Sequence, residues 1–179
     1  LKMDRLKNET PGWALRDNAI YNAQMWDLRG ESYFLGPQTV ETPEALGIPK
    51  WTGTPEEAAK MVRAAMRHFG AAMVTFHRLT DDTRKFIYSH DPDGKELIFT
   101  DEELAYEDEN GRYIPKKCEW VISYAMQMSA ETLRRSPTHT ACQTTLATYG
   151  RSRRTQGVTQ EFLRGLGSVS YTHLSCRRR

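Results

Sequence analysis

The sequence predicts an α+β fold, a short sheet with flanking helices, and three observations carry the prediction. The passage from Gly53 to Phe69 opens with a capping signal and then repeats apolar residues at helical spacing. Two short runs of apolar and β-branched residues, Ala71–Leu79 and Glu119–Met128, read as strands. A long helical passage follows the second run. Because one helix feeds directly into a strand, which is half of an α/β unit, a layered α/β arrangement stays open beside the α+β one.

Taken in order, the stretch "DNAIYNAQMWDLRG" (Asp17–Gly30) is expected to be a helix. Asp17 suits the N-cap, Gly30 suits the stop, and Ile20, Ala23, Met25 and Trp26 fall on one stripe. From Glu31 to Lys50 the Pro, Gly and Thr content rises, which predicts an ordered loop or covering arm. In the next helix Thr54 is the cap, Pro55 occupies the first turn and Glu57 completes a capping box. Ala58, Met61, Val62, Ala65, Met66 and Phe69 form its apolar face, and Gly70 ends it.

Residues 80–118 are mixed, with turn signals at Asp93-Gly94 and Asn110-Gly111. The acidic run between them (Asp101, Glu102, Glu103, Glu107, Asp108, Glu109) reads as a solvated face or loop, and it lacks the Gly-centred spacing of a calcium site. After the second strand the chain turns helical from Ser129, breaks near Pro137, and continues through "TTLATYGRSRRTQGVTQEFLRGLG". Val158, Phe162 and Leu166, four apart, are the predicted buried stripe of that helix.

Composition narrows the function classes. A chain of 179 residues with 39% hydrophobic and 27% charged residues is one globular domain with room for a core. No run of 18 apolar residues exists to span a membrane as a helix. The net charge of +2 comes largely from Arg177, Arg178 and Arg179, and no basic stripe interleaved with aromatics argues for nucleic acid. Three scattered cysteines, Cys118, Cys142 and Cys176, make neither a disulfide framework nor a zinc or iron–sulfur ligand set. The five histidines show no ligand spacing, no Gly-x-Ser-x-Gly elbow is present, and Gly165-x-Gly167 ends a helix instead of opening one on a phosphate.

Three passages read together resemble one family: "GWALRDNAIYNAQMW", "KWTGTPEEAAKMVRAAMRHFGAAMV" and "ATYGRSRRTQGVTQEFLRGLG". They are similar to the entry helix, the Trp-x-Gly-Thr-Pro-Glu-Glu helix with its strand, and the Tyr-containing helix of the reductive dehalogenases, the corrinoid and iron–sulfur enzymes of organohalide respiration. The resemblance runs from about Gly12 to Gly167. It implies residues 1–167 as part of a nitroreductase-like, corrinoid-binding catalytic domain. Residues 168–179, "SVSYTHLSCRRR", resemble no family element and are expected to be a non-family tail.

The resemblance further implies the replacement of a carbon-bound halogen by hydrogen, with a corrinoid cobalt and two 4Fe–4S clusters as cofactors. The cluster ligands are not in this chain, and the cobalt needs no histidine beneath it. A small organohalide is the implied substrate and a membrane anchor protein the implied partner, at the outer face of the cytoplasmic membrane. Residue by residue, Tyr149 takes the place of the family's proton donor and Thr145 of a residue lining the substrate pocket. Trp26 and Trp51 are assigned to the same apolar wall.

The chemistry asked of Tyr149 is plausible for a phenol. An unperturbed phenol has a pKa of about 10. A neighbouring guanidinium stabilises the phenolate and makes the group a better acid. Arg153, four residues on, shares its helical face. In the family the basic partner comes from later in the chain, so Arg153 reads first as a solvated charge. Two other readings stand beside this one: a fragment of the related corrinoid-dependent epoxyqueuosine reductases, which act on a tRNA base, and a non-catalytic binding domain.

Overall fold

The computed structural model describes residues 4–5, 8, 10–13, 34–47, 49–91 and 93–168. The predicted helix Asp17–Gly30, and with it Trp26, lies outside the described residues, as does the tail beyond Ser168.

The first regular element after the arm is α1, Pro55–His68. It begins where the capping box predicts: the Glu57 N–H donates to Thr54 Oγ1 at 3.2 Å, and the Thr54 N–H donates back to Glu57 Oε2 at 2.8 Å. It ends at Gly70, whose φ of +111° suits only a residue without Cβ, so the chain turns sharply into β1, Ala71–Arg78. A one-turn helix α2, Asp81–Arg84, follows. The predicted mixed region holds three short strands: β2, Glu96–Thr100; β3, Tyr106–Glu107; and β4, Gly111–Pro115. The second predicted strand is β5, Trp120–Met126. A short α3, Ala130–Leu133, and the 27-residue α4, His139–Gly165, flank the predicted break at Pro137.

The strands form two small sheets. β1 pairs antiparallel with β5, from Ala71↔Met126 to Arg78↔Trp120. That pairing settles the fold as α+β, because the helix-to-strand junction is not followed by a parallel crossover. The second sheet has the order β2-β4-β3. Both predicted turns are present: Asp108 Oδ1 accepts the N–H groups of Asn110 and Gly111 at 2.8 Å, closing the β3–β4 hairpin, and Gly94 at φ +91° turns the chain before β2. The acidic run lies mostly exposed along this sheet, where Glu107 pairs with Lys95 and Arg112, Asp101 with Lys116 and Glu103 with Lys117.

The core lies between α1, the inner face of the β1–β5 sheet and the C-terminal half of α4. Val62, Met66, Ala71, Val74 and Leu163 are buried there, with Phe76, Ile122, Tyr124, Met126, Phe162 and Leu166 packed around them. One expectation is corrected. Val158 is exposed, and the buried stripe of α4 is largely polar: Thr155, Gln156, Thr159 and Gln160, with Leu163. The stripe turns inward because most of its polar atoms have partners. Thr155 Oγ1 donates to Phe69 O at 2.9 Å, Thr159 Oγ1 to Thr155 O at 2.7 Å, and Gln160 Nε2 to Phe34 O at 3.2 Å.

Candidate functional site

The first half of α4 carries Thr145 and Tyr149, and β5 with the residues just after it fixes its position. The Ser129 N–H donates to Thr144 Oγ1 at 3.2 Å, just past the end of β5. One residue further, Thr145 directs its hydroxyl towards Met128 Sδ at 4.0 Å. Arg151 Nη2 donates to Gln127 O at 2.9 Å and to Thr148 Oγ1 at 3.1 Å. Tyr124 OH donates to Ser152 O at 2.9 Å and lies 3.0 Å from Ser152 Oγ. Burial pushes the Tyr124 phenol up, while the Ser152 hydrogen bond pulls it down less, so it stays a neutral donor. These four attachments bracket Tyr149 on both sides.

Thr145 and Tyr149 are one helical turn apart on this clamped segment, and both are half-buried. Arg153 continues the same face. The adjoining Arg151 is a structural residue, since its guanidinium is spent on the β5 end and on Thr148. The sequence reading singled out neither Tyr124 nor Arg151. Strand and helix periodicity place both, but nothing local shows that they reach across to each other's element.

Trp51, in the segment before α1, meets the other end of the same helix. Its backbone N–H donates to Leu166 O at 3.0 Å, at the C-terminal end of α4, 17 residues beyond Tyr149 and about 25 Å along the axis at the helical rise. Its ring lies over Gly53, where an added Cβ would come within 2.5 Å of the indole. The ring remains 37% exposed, so it is not part of the packed core. Trp26 lies outside the described residues.

The described cysteines do not form a ligand set. Cys118, after β4, is half-buried, and burial pushes its thiol up, away from the thiolate that metals require. Cys142 is exposed on α4. Among the described residues no group of three or more His, Cys, Asp or Glu side chains is placed to hold a metal ion. None of the described helices is long and apolar enough to cross a membrane.

Comparison with known proteins defines the class. The family model of the reductive dehalogenase subunit matches residues 2–96, just over half of the chain, and the chain belongs to that family. A trichloroethene reductive dehalogenase of Dehalococcoides mccartyi is 46% identical over 41 residues, 23% of this chain. The matched stretch is 7% of that protein's length, so the chain corresponds to a small part of its relative. The passages around Trp26 and Trp51, α1 and β1 fall inside the matched family span, whereas Thr145, Tyr149 and the rest of α4 fall beyond it.

Proposed function

We propose that this chain is a segment of the catalytic domain of a reductive dehalogenase, spanning residues 1–167, in which Tyr149 delivers the proton that replaces a departing halide. The observation that carries the reading is the placement of Tyr149. Tyr149 stands half-buried on a helix segment pinned to β5 through Ser152 and to the residues just after β5 through Thr144, Thr145 and Arg151. A proton donor must be held in fixed geometry beside the carbon it protonates, and the clamping of the first half of α4 supports this reading. Thr145, one turn before, is proposed to line the pocket that selects the substrate, a small organohalide.

A bound corrinoid would supply the electrons that expel the halide, and the two 4Fe–4S clusters would feed it. The described residues do not fit a cluster, so its ligands are proposed to lie outside this chain. For the corrinoid the fitting residue is Gln156, two turns beyond Tyr149 on the same side of α4. Its buried Oε1 has no hydrogen-bond partner, and the peripheral amides of a corrinoid are donors. The phenol of Tyr149 gives its proton from Oη to the carbon and then recovers one from solvent. Anchoring by a membrane protein at the outer face of the cytoplasmic membrane belongs to the same proposal.

The test is made in the full-length protein that contains this segment. Tyr149→Phe removes one hydroxyl and keeps the ring, so packing changes little. It should lower turnover by roughly 10²–10⁴-fold, the range for a positioned proton donor, with cobalt and iron content unchanged. Thr145→Ala should shift the preference among organohalides while keeping most of the turnover on the best one. Dehalogenation by Tyr149→Phe at the parent rate would make the phenol structural and end the proposal.

A further inference from the structure

We infer that Glu161 is a charge-dependent latch that fastens the arm to the C-terminal half of α4. The arm enters α4 at Phe34 and Gly36, both buried, and is buried again at Pro43. Between these anchors, residues 37–41 are exposed and have little apolar contact to hold them. One carboxylate takes most of their hydrogen bonds to α4, beside a bond from Arg164 to Val40 O. Glu161 Oε1 accepts the Gln38 N–H at 2.7 Å, and Oε2 accepts the Thr39 N–H at 2.8 Å, the Thr39 hydroxyl at 2.6 Å and the Val40 N–H at 2.6 Å.

Three successive backbone amides converging on one anion form a nest, and the chain closes it with its own side chain. Gln38 takes a positive φ of 56° to present its N–H, a conformation that a non-glycine residue holds only when its surroundings impose it. The helix is shaped for the contact. Gly157 and Gly165 lie under the arm, where added Cβ atoms would meet Pro37 Cγ at 3.7 Å and Val40 Cγ1 at 3.3 Å. Glycine inside a helix costs stability relative to alanine; the close approach of Val40 accounts for Gly165, whereas Pro37 stands at ordinary contact distance from the Gly157 position.

Charge decides whether the latch is shut. Hydrogen bonds to an ionised carboxylate are about twice as strong as those to a neutral acceptor, and a protonated or amidated oxygen can no longer take all four donors. Partial burial disfavours the charged form of Glu161, but the Thr39 hydroxyl and the amides of Val40, Thr39 and Gln38 outweigh it and hold its pKa below the ordinary carboxylate range. A group with a depressed folded pKa contributes its stabilisation above the ordinary value and loses it as pH falls through the lower one. Charged groups beside the latch among the described residues include Arg164 on α4, whose Nε donates to Val40 O at 2.8 Å, and Glu41, next along the arm. Because Phe34 and Pro43 stay anchored, release lifts residues 37–41 alone, a local opening of the kind that thinly packed segments make.

Amide hydrogen exchange in the full-length protein tests the latch, with α1 amides as the internal reference. At neutral pH the Gln38, Thr39 and Val40 amides should be protected relative to their intrinsic rates. Glu161→Gln should speed their exchange by about tenfold or more while α1 is unchanged. Glu161→Asp keeps the charge but withdraws it by one methylene, and should fall between the two. In the parent protein the same three amides should lose protection, against intrinsic rates, as pH falls below the ordinary carboxylate range. Unchanged exchange in Glu161→Gln overturns the inference. Equal acceleration of the arm and α1 also overturns it, because Glu161 would then support the whole fold.

Discussion

Thr155 shows what a single side chain does in this molecule. It is 1% exposed, and its hydroxyl donates to Phe69 O, the C-cap of α1, at 2.9 Å. That bond joins the two helices. Thr155→Val keeps the shape and leaves the Phe69 carbonyl without this donor, and should cost about 1–3 kcal/mol. Thr159 is also buried, but its hydroxyl returns to Thr155 O within its own helix. Thr159→Val should therefore be close to neutral. Denaturant midpoints of the two variants check the contrast, and equal costs would refute the idea that the cross-helix bond is the one that matters. Tyr149 and Glu161 are read by the same logic, from the atoms their oxygens can reach.

At the scale of elements, α1 and α4 form helices for different reasons. α1 is specified locally by its capping box, Pro55 in the first turn, Arg67 near its end and a continuous apolar face. Thr54→Ala removes the side-chain cap and should cost about 1 kcal/mol. Faster exchange at the Glu57 and Ala58 amides would accompany it, and an unchanged thermal midpoint with unchanged exchange would refute the role. The Thr54 backbone N–H, and then the Thr54 side chain, lower the Glu57 pKa, so its share of the cap is present at neutral pH and lost as pH falls through the depressed value. α4 begins at Thr138 without a side-chain cap and buries a polar stripe. Its order comes from tertiary partners: β5 along its first half, α1 through Thr155, and the arm along its last turns.

At the scale of the whole molecule, the described residues form two small sheets, linked by the short α2 and its loops on one side and by a turn between β4 and β5 on the other, and the β1–β5 sheet has both edges unpaired among those residues. Met73 at 65% exposure and Trp120 at 58% place apolar surface on these strands. Open edges beside exposed apolar side chains favour association. The isolated 179-residue chain should therefore sediment as concentration-dependent oligomers and melt over a broad range. A monodisperse monomer with a sharp two-state transition would contradict this.

By itself the sequence determined α1, β1, β5, the break at Pro137, the two hairpin-type turns and the family, because each of these is written in neighbouring residues: a capping box, a run of β-branched side chains, a proline, an Asp-Gly or Asn-Gly pair. It marked Tyr149 and Thr145 only through resemblance, since helical spacing alone does not separate a working phenol from a packed one. Tertiary structure decided the rest. The parallel β2–β4 pairing joins strands too short to announce themselves, and it depends on a hairpin that brings β4 back beside β2. The inward face of α4 was misread at Val158 because hydrophobic periodicity assumes that buried means apolar. Here Thr155, Thr159 and Gln160 go inside, and their hydrogen-bond partners lie up to 126 positions away in the chain. The grip of Glu161 on Gln38, Thr39 and Val40 was invisible for the same reason: a carboxylate and the amides it binds share no local pattern, and only the folded chain brings them within 3 Å.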